Sequence, residues 1–111
     1  MPAYLIARVD VWDRERYGDY MRHTPRMIAR FGGRFIARGP APLTLEGPEE
    51  TRRIVVIEFP STERAKAFYE SDDYQAIKKK RDGAGEGQFI IVEGYDPAEW
   101  DSAVRESQRA G

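Results

Sequence analysis

The residues of this chain that could carry out chemistry are charged side chains inside otherwise apolar segments. Glu58 is the last residue but one of "RRIVVIEF", Glu93 follows "FIIV", and Arg8 and Asp10 interrupt "AYLIARVDVW". A carboxylate in an apolar, partly dry surrounding has a raised pKa, which suits it to proton transfer. An arginine beside it would hold an anionic or carbonyl group. One interpretation of the pattern is a pocket lined by these charges.

Strand geometry decides whether these residues meet. Side chains alternate between the two faces of a strand, and Leu5, Ala7 and Val9 form an apolar face that we expect to pack on helices. Arg8 and Asp10 then point the opposite way. Matching the other strands by the same logic, we predict that this second face carries the catalytic candidates Arg8 and Glu58 and the ligand-binding candidates Tyr4, Asp10, Arg38 (with Arg34 as its alternative), Phe89 and Glu93.

A structural role is the alternative for the same charges. They would pair as buried or interface ion pairs that fix how two sheets dock, because an unpaired buried charge is strongly destabilising. In the pocket interpretation, Arg8 holds a substrate group and Glu58 or Glu93 moves a proton. Both interpretations stay open at the level of the sequence.

His23, the single histidine, is the third catalytic candidate. It falls in a predicted helix just before Pro25. One interpretation is a surface or interface histidine that bonds a carbonyl freed by that proline. The other is a proton-transfer group or haem ligand at the pocket mouth. One histidine and no cysteine cannot form a multi-histidine or thiolate metal site, and we predict neither a metal nor a cofactor.

The composition narrows the class of protein. Eighteen Lys and Arg against nineteen Asp and Glu give a net charge of −1, and these charges are interspersed, which argues against nucleic acid and anionic lipid as partners. The first ten residues, "MPAYLIARVD", resemble neither a signal peptide nor a membrane span. There is no dinucleotide-binding or phosphate-binding glycine motif. We expect a soluble, cytoplasmic protein.

Hydrophobic periodicity and turn residues predict the elements in the order β-α-β-β-α-β. We expect the first helix to kink at Pro25, with Thr24 capping a restarted segment. The second helix should break at Ser71, which can cap a new segment. Leu43 and Leu45 would form a brief edge strand. Residues 96–111 form a C-terminal extension, with a short helix and a frayed tail, after a single domain of residues 1–95.

This order is that of an α+β, ferredoxin-like sandwich. Two helices cover one face of its four-stranded sheet, yet both faces of the strands carry apolar residues. A second copy of the chain is the economical cover for the other face. We therefore predict a homodimer in which two sheets pack face to face as a dimeric α+β barrel.

Several motifs carry a resemblance to a known family. "GGRFIARG", "LEG", "RRIVVIEFPS", "AFYESDDYQAIKKKR" and "IIVEGY" resemble, in order and spacing, the domain of unknown function thirteen-thirty family. The resemblance implies a dimeric α+β barrel, near a wider group that includes cofactor-free monooxygenases, haem-degrading enzymes and small isomerases. It implies no catalytic residues.

Three function classes remain open. The first is a cofactor-free enzyme that binds a small-molecule ligand in the barrel pocket. The second is a ligand-binding module without turnover, and the third is a structural dimer that serves a partner protein. A carboxylate beside an open apolar cavity favours the first two classes, whereas a filled barrel favours the third.

Overall fold

Four strands and four helices make up the chain in the computed structural model, which describes residues 1–111. The strands form one antiparallel sheet in the order Arg34–Arg38, Arg53–Phe59, Ala3–Val11 and Gly85–Glu93. The predicted α+β, ferredoxin-like fold is confirmed. The elements are β1 (Ala3–Val11), α1 (Arg14–Arg30), β2 (Arg34–Arg38), β3 (Arg53–Phe59), α2 (Thr62–Glu70), α3 (Asp72–Lys78), followed by a 3-10 turn (Lys79–Arg81), β4 (Gly85–Glu93) and α4 (Pro97–Ala110).

The core lies between one face of the sheet and helices α1 to α3. Alternate residues of β1 supply its centre, and Leu5, Ala7 and Val9 are at most 5% exposed, as their apolar pattern predicts. Burying each large apolar side chain contributes roughly 1.5–3 kcal/mol. The helices contribute mainly aromatic and long aliphatic residues: Tyr17, Tyr20, Met27, Ile28, Phe68 and Tyr74.

Helix α1 runs without interruption through Pro25, so the predicted restart at Thr24 is wrong. Proline has no N–H to donate to the carbonyl four residues earlier, which in this helix belongs to Met21. The Thr24 hydroxyl donates to that carbonyl instead, over 3.2 Å. The helix therefore continues because a neighbouring side chain replaces the missing backbone hydrogen bond.

The predicted break at Ser71 is confirmed. Its backbone is extended (φ −62°, ψ 146°), and its hydroxyl oxygen accepts a hydrogen bond from the Tyr74 N–H over 3.2 Å. The same hydroxyl donates to the Phe68 carbonyl over 2.8 Å. One serine thus satisfies a group at the end of α2 and another at the start of α3. The change of direction places Tyr74 in the core, where it is 1% exposed.

The predicted edge strand at Leu43 and Leu45 is wrong. Both residues lie in the connection between β2 and β3, outside the sheet, and are 86% and 89% exposed. Pro40 and Pro42 have no N–H for a strand ladder, which explains the absence of pairing. The connection is instead closed by a hydrogen bond from the Glu50 N–H to the Thr44 hydroxyl.

Helix α4 begins at an Asp96 cap that accepts from the Ala98 N–H over 2.9 Å. It extends to Ala110, further than the short helix and frayed tail that we expected. None of its residues is buried, and Trp100 is 60% exposed. No helix of the chain combines the length and the apolar character that a bilayer crossing requires.

Candidate functional site

The register of the sheet divides the predicted site residues between its two faces. Tyr4 pairs with Glu58, and Arg8 and Asp10 are in phase with Tyr4, so these four residues lie on the face that no helix covers. We call this the open face. The prediction that these four residues share one face of the sheet is confirmed, whereas their catalytic or binding roles stay predictions.

Two other candidates lie on the opposite face. Phe89 pairs with Ala7 and Glu93 with Ala3, so both are on the helix-covered side of the sheet. The prediction that they share a face with Glu58 is wrong. The apolar run through the middle of β4 has no alternation, and a uniform run does not indicate which residues point to the helices.

On the open face, the charges pair locally. The Arg34 guanidinium lies 3.2 Å from a carboxylate oxygen of Glu58, and the side chains are 73% and 29% exposed. Arg8 donates instead to the side-chain oxygen of Gln88 over 3.0 Å. Arg34, and not Arg8, is therefore the arginine that contacts Glu58 within this chain. This geometry fits the ion-pair interpretation of the open face.

Arg38 lies on the helix-covered face because β2 contains a bulge. Strict alternation would place Arg34 and Arg38 on the same side. The register pairs Phe35 with Ile57 and Ala37 with Val56, so Ile36 is an extra residue without a partner. Beyond this bulge the phase is reversed. Arg38 consequently pairs with Val55 and points towards the helices, away from Glu58.

A cavity of about 50 Å³, partly open to solvent, lies between the helices and the sheet. This volume holds a few water molecules. No acidic residue lines it. Its lining consists of thirteen apolar or aromatic residues, one threonine and two arginines: Leu5, Ala7, Val9, Tyr17, Tyr20, Met21, Thr24, Ile28, Phe35, Arg38, Arg53, Val55, Ile57, Phe68, Tyr74 and Phe89.

The two arginines stand where this cavity meets open surface grooves. One groove is lined by both Arg38 and Arg53, together with Thr51, and a second is lined by Arg53, Thr51 and Tyr17. The Arg38 guanidinium stacks on the Phe35 ring, 4.7 Å from its centroid. Arg53 contacts the Met21 sulfur at 3.6 Å, and its Nε is buried without a hydrogen-bond partner.

Neither Arg38 nor Arg53 belongs to any of the five ion pairs of the chain. Burial, and then the positive charge of Arg53, lowers the pKa of Arg38. The pair is therefore a local excess of positive charge beside an apolar cavity.

Three tyrosines share the cavity wall with the arginines. The hydroxyl oxygens of Tyr20 and Tyr74 lie 2.7 Å apart and bond to each other. Burial raises the pKa of Tyr17, while the positive charges of Arg81, Arg53 and Arg38 oppose the shift. Tyr17 thus stays a neutral hydrogen-bond donor close to the arginines. Tyr17 lines both the cavity and one of the grooves.

His23 is not among the residues that line the cavity. Its side chain is half-buried, and its Nδ1 has no hydrogen-bond partner. The carbonyl that Pro25 leaves free bonds to Thr24, not to the histidine. Partial burial, followed by the charges of Arg26, Lys80 and Arg22, lowers the pKa of His23. A catalytic role for this residue stays a prediction. No group of three His, Cys, Asp or Glu side chains is arranged to hold a metal ion.

The family assignment follows from a match to a family model. The model described as Domain of unknown function (DUF1330) matches residues 2–95. The chain belongs to the DUF1330 family. This match confirms the resemblance seen in the sequence motifs. A comparison with curated proteins gave no match.

Solved structures with a similar fold cover most of this DUF1330 chain. A protein of unknown function from Rhodopseudomonas palustris is 22% identical, with a TM-score of 0.72, over 86% of this chain and 84% of that one. SnoaB, a cofactor-independent oxygenase from Streptomyces nogalater, is 9% identical, with a TM-score of 0.61, over 86% and 94%. A putative antibiotic biosynthesis monooxygenase from Nitrosomonas europaea is 13% identical, with a TM-score of 0.55, over 86% and 100%. These likenesses show the fold alone.

The cavity of this DUF1330 protein contains residues that our sequence reasoning did not select. Arg53 is the clearest example. It stands in phase with Val55, Ile57 and Phe59, which point to the helices, and that alternation is a signal that identifies it as a cavity residue. Tyr17 had no comparable signal, because its spacing in α1 is equally typical of a core residue.

Proposed function

We propose that this protein is a small-molecule enzyme whose substrate binds in the cavity between the helices and the sheet. One observation carries the proposal: the cavity is apolar throughout its interior, and its charged groups, Arg38 and Arg53, are confined to the end where it meets the surface grooves. Pockets that bind small organic molecules combine an apolar wall with a few convergent polar groups in this way. The site lies on the opposite side of the sheet from the pocket that the sequence suggested.

The arrangement assigns different tasks to the two ends of the site. The apolar wall removes an apolar edge of the substrate from water, and the remainder of the substrate lies in the adjoining grooves of about 520 and 550 Å³. At the mouth, the neutral Tyr17 hydroxyl donates a hydrogen bond to a substrate oxygen, and the guanidinium groups stabilise negative charge that develops on it. A proton lost by the substrate passes to solvent in the grooves. These side chains supply the chemistry in a reaction without a resident cofactor.

The fold shared with SnoaB makes molecular oxygen the first co-substrate to test. The first experiment therefore screens small aromatic phenols and ketones for binding by protein-detected NMR, and then follows the binders for oxygen uptake and product formation. Val55→Phe fills the cavity, and Val104→Phe on α4 is the matched control outside it. We expect compounds that bind the wild type and Val104→Phe, but not Val55→Phe, and turnover of at least one of them.

Two results would contradict this proposal. If the binders bind Val55→Phe as well as the wild type, the cavity is not the site. If the bound compounds are recovered chemically unchanged after long incubation, both with oxygen and without it, the protein is the non-catalytic ligand-binding module of the second function class.

We also propose that the functional unit is a homodimer. The support comes from the open face, where Ile90 and Val92 are 38% and 45% exposed although they belong to a regular strand, and Ile54 and Val56 beside them are half-buried. Contiguous apolar patches of this kind mark interaction surfaces. A second open face, packed on the first, would cover them with like surface.

The cytoplasmic location stays a prediction, which cell fractionation would test.

A further inference from the structure

We propose that the cavity takes an organic anion: a flat apolar body that carries one planar oxyanion group, held by Arg38 and Arg53. The inference rests on the proposed binding of a small molecule in this cavity and adds the chemical class of that molecule.

The first argument is the missing counter-charge. Five ion pairs use other arginines of the chain, whereas Arg38 and Arg53 belong to none of them. The cavity lining contains no Asp or Glu. Asp10 lines the neighbouring groove, but it lies on the open face of β1 and forms no ion pair with Arg53. Arg38 is exposed at the cavity mouth and Arg53 is half-buried, and without an anion between them their like charges repel each other.

The second argument is the orientation of the two groups. Arg38 pairs with Val55, which is two residues from Arg53 on the same face, so the two guanidinium groups extend from diagonal positions of adjacent strands. Stacking on Phe35 orients the guanidinium group of Arg38, and the contact with Met21 orients the guanidinium group of Arg53. The buried Arg53 Nε still has a hydrogen to donate. Preorganised guanidinium forks match planar oxyanions, to which they donate parallel hydrogen bonds.

The third argument is the polarity of the surroundings. A small inorganic anion would leave the apolar cavity unused, and a neutral hydrocarbon would leave both cations unpaired. A molecule with an apolar edge in the cavity, its remaining part in the adjoining grooves of about 520 and 550 Å³ and an oxyanion beside the two arginines satisfies both parts of the site. Carboxylates offer two oxygens to the guanidinium groups, and ionised phenols or enols offer the same negative charge on one oxygen.

The test uses two kinds of probe. Benzoate, 4-methylbenzoate and 2-naphthoate represent carboxylates, with their carboxamides as neutral isosteres, and 4-nitrophenol represents ionisable phenols. Dissociation constants are measured by NMR titration for the wild type, Arg38→Gln, Arg53→Gln and Val55→Phe. Arg34→Gln is the matched control, because Arg34 is on the same strand but points to the open face and has Glu58 as a partner.

We expect at least one anionic probe to bind the wild type and Arg34→Gln with equal affinity. Each cavity arginine variant should weaken this binding roughly tenfold or more, as for loss of a charge-assisted hydrogen bond, without a comparable effect on the carboxamide. The kind of probe that shows this loss of affinity, carboxylate or phenol, identifies the preferred source of the oxyanion. Binding of 4-nitrophenol as its anion would also lower the pKa of this phenol, which is measured from its absorbance.

A second measurement separates ligand binding from a structural role. Without ligand, Arg38→Gln should raise the melting temperature or leave it unchanged, because it removes one of two repelling charges. The proposal is wrong if that variant loses several degrees, if no anionic probe binds, or if Arg34→Gln has the same effect as the cavity variants. If carboxamides bind as well as the acids and Val55→Phe blocks both, the cavity site stands and only the anion preference fails. Anion binding that Val55→Phe leaves intact would place the anion on the surface and overturn both proposals.

Discussion

The hydroxyl oxygens of Tyr20 and Tyr74 lie 2.7 Å apart in the core, although the residues are 54 positions apart in the sequence. Tyr20 comes from α1 and Tyr74 from α3. Both side chains are buried, so each hydroxyl depends on the other for its hydrogen bond. Burial also raises the pKa of Tyr20 far above its usual range, followed in size by the effect of Tyr74. Tyr20 therefore stays a neutral phenol, and the bond between the two hydroxyls fixes one wall of the cavity.

This relationship predicts strongly non-additive mutants. Tyr74→Phe should cost about 1–3 kcal/mol, because it leaves the buried Tyr20 hydroxyl without a partner. The double change to phenylalanine should cost less than the sum of the single changes, since no hydroxyl is then left unpaired. Urea unfolding at a fixed protein concentration measures the three values. Simple additivity would show that the two hydroxyls do not depend on each other.

The break between α2 and α3 gives a second prediction. Ser71→Ala should lose about 1 kcal/mol for the cap to the Tyr74 N–H, and more for the hydrogen bond to the Phe68 carbonyl. Ser61→Ala is the matched control, because Ser61 caps α2 through the Arg64 N–H over 3.1 Å. Both variants should unfold at lower temperature. Only Ser71→Ala should also change the near-ultraviolet circular dichroism of the tyrosines, and equal spectra would contradict this role.

Mutant cycles on the open face test which arginine is coupled to Glu58. We expect Glu58→Gln and Arg34→Gln to be coupled, by up to about 1 kcal/mol for an exposed pair and by more where a second chain covers it. Glu58→Gln and Arg8→Met should be additive, because Arg8 bonds to Gln88. Melting temperatures of the single and double variants give both cycles. Coupling of Glu58 to Arg8 alone would mean that the pairing differs in the assembled protein.

The homodimer proposal predicts that a charge on the open face separates the subunits. Ile90→Glu places a carboxylate in the exposed apolar patch and should convert a dimer to a monomer. Leu43→Glu, at a position 86% exposed in the β2–β3 connection, is the control that should leave the mass unchanged. Light scattering coupled to size exclusion measures both. A folded wild-type monomer at low micromolar concentration would rule out the proposed dimer.

His23 predicts a pH dependence of stability with a definite sign. Its pKa is lower in the folded chain than the usual value of about 6.5 in an unfolded one, so the unfolded state binds more protons near that pH. Stability should therefore decrease as the pH falls from about 7.5 through 6.5 and below, and His23→Gln should remove this part of the slope. As the chain has one histidine, a single imidazole signal in proton NMR reports its titration. A folded pKa at or above that of a model peptide would contradict the sign.

Regular alternation made part of the fold predictable. Leu5, Ala7 and Val9 form an unbroken apolar face, and a strand with one such face can pack on helices in only one phase. The Ser71 break was predictable as well, because a serine followed by two aspartates is a local signal for a helix start. These features depend on neighbouring residues alone.

The candidate site depended on features without a local signal. Ile90, Ile91 and Val92 are all apolar, so the sequence of β4 does not determine whether Phe89 points to the helices. Arg38 was placed by an alternation that the bulge at Ile36 reverses. The position of a bulge follows from pairing with another strand, and therefore from contacts between distant residues. For this reason we expected the pocket on the side of the sheet opposite to the cavity that the structure contains.

The bulge at Ile36 also affects how this chain should be aligned with its relatives. Since Ile36 pairs with no residue of β3, a relative that lacks it still places its counterparts of Arg34 and Arg38 opposite those of Glu58 and Val55. A one-residue gap at Ile36 therefore leaves the pairing of the other β2 residues unchanged. An alignment that closes the gap elsewhere in β2 compares side chains from opposite faces of the sheet. Ligand preference can be transferred between relatives along this strand only when the gap is set at the bulge.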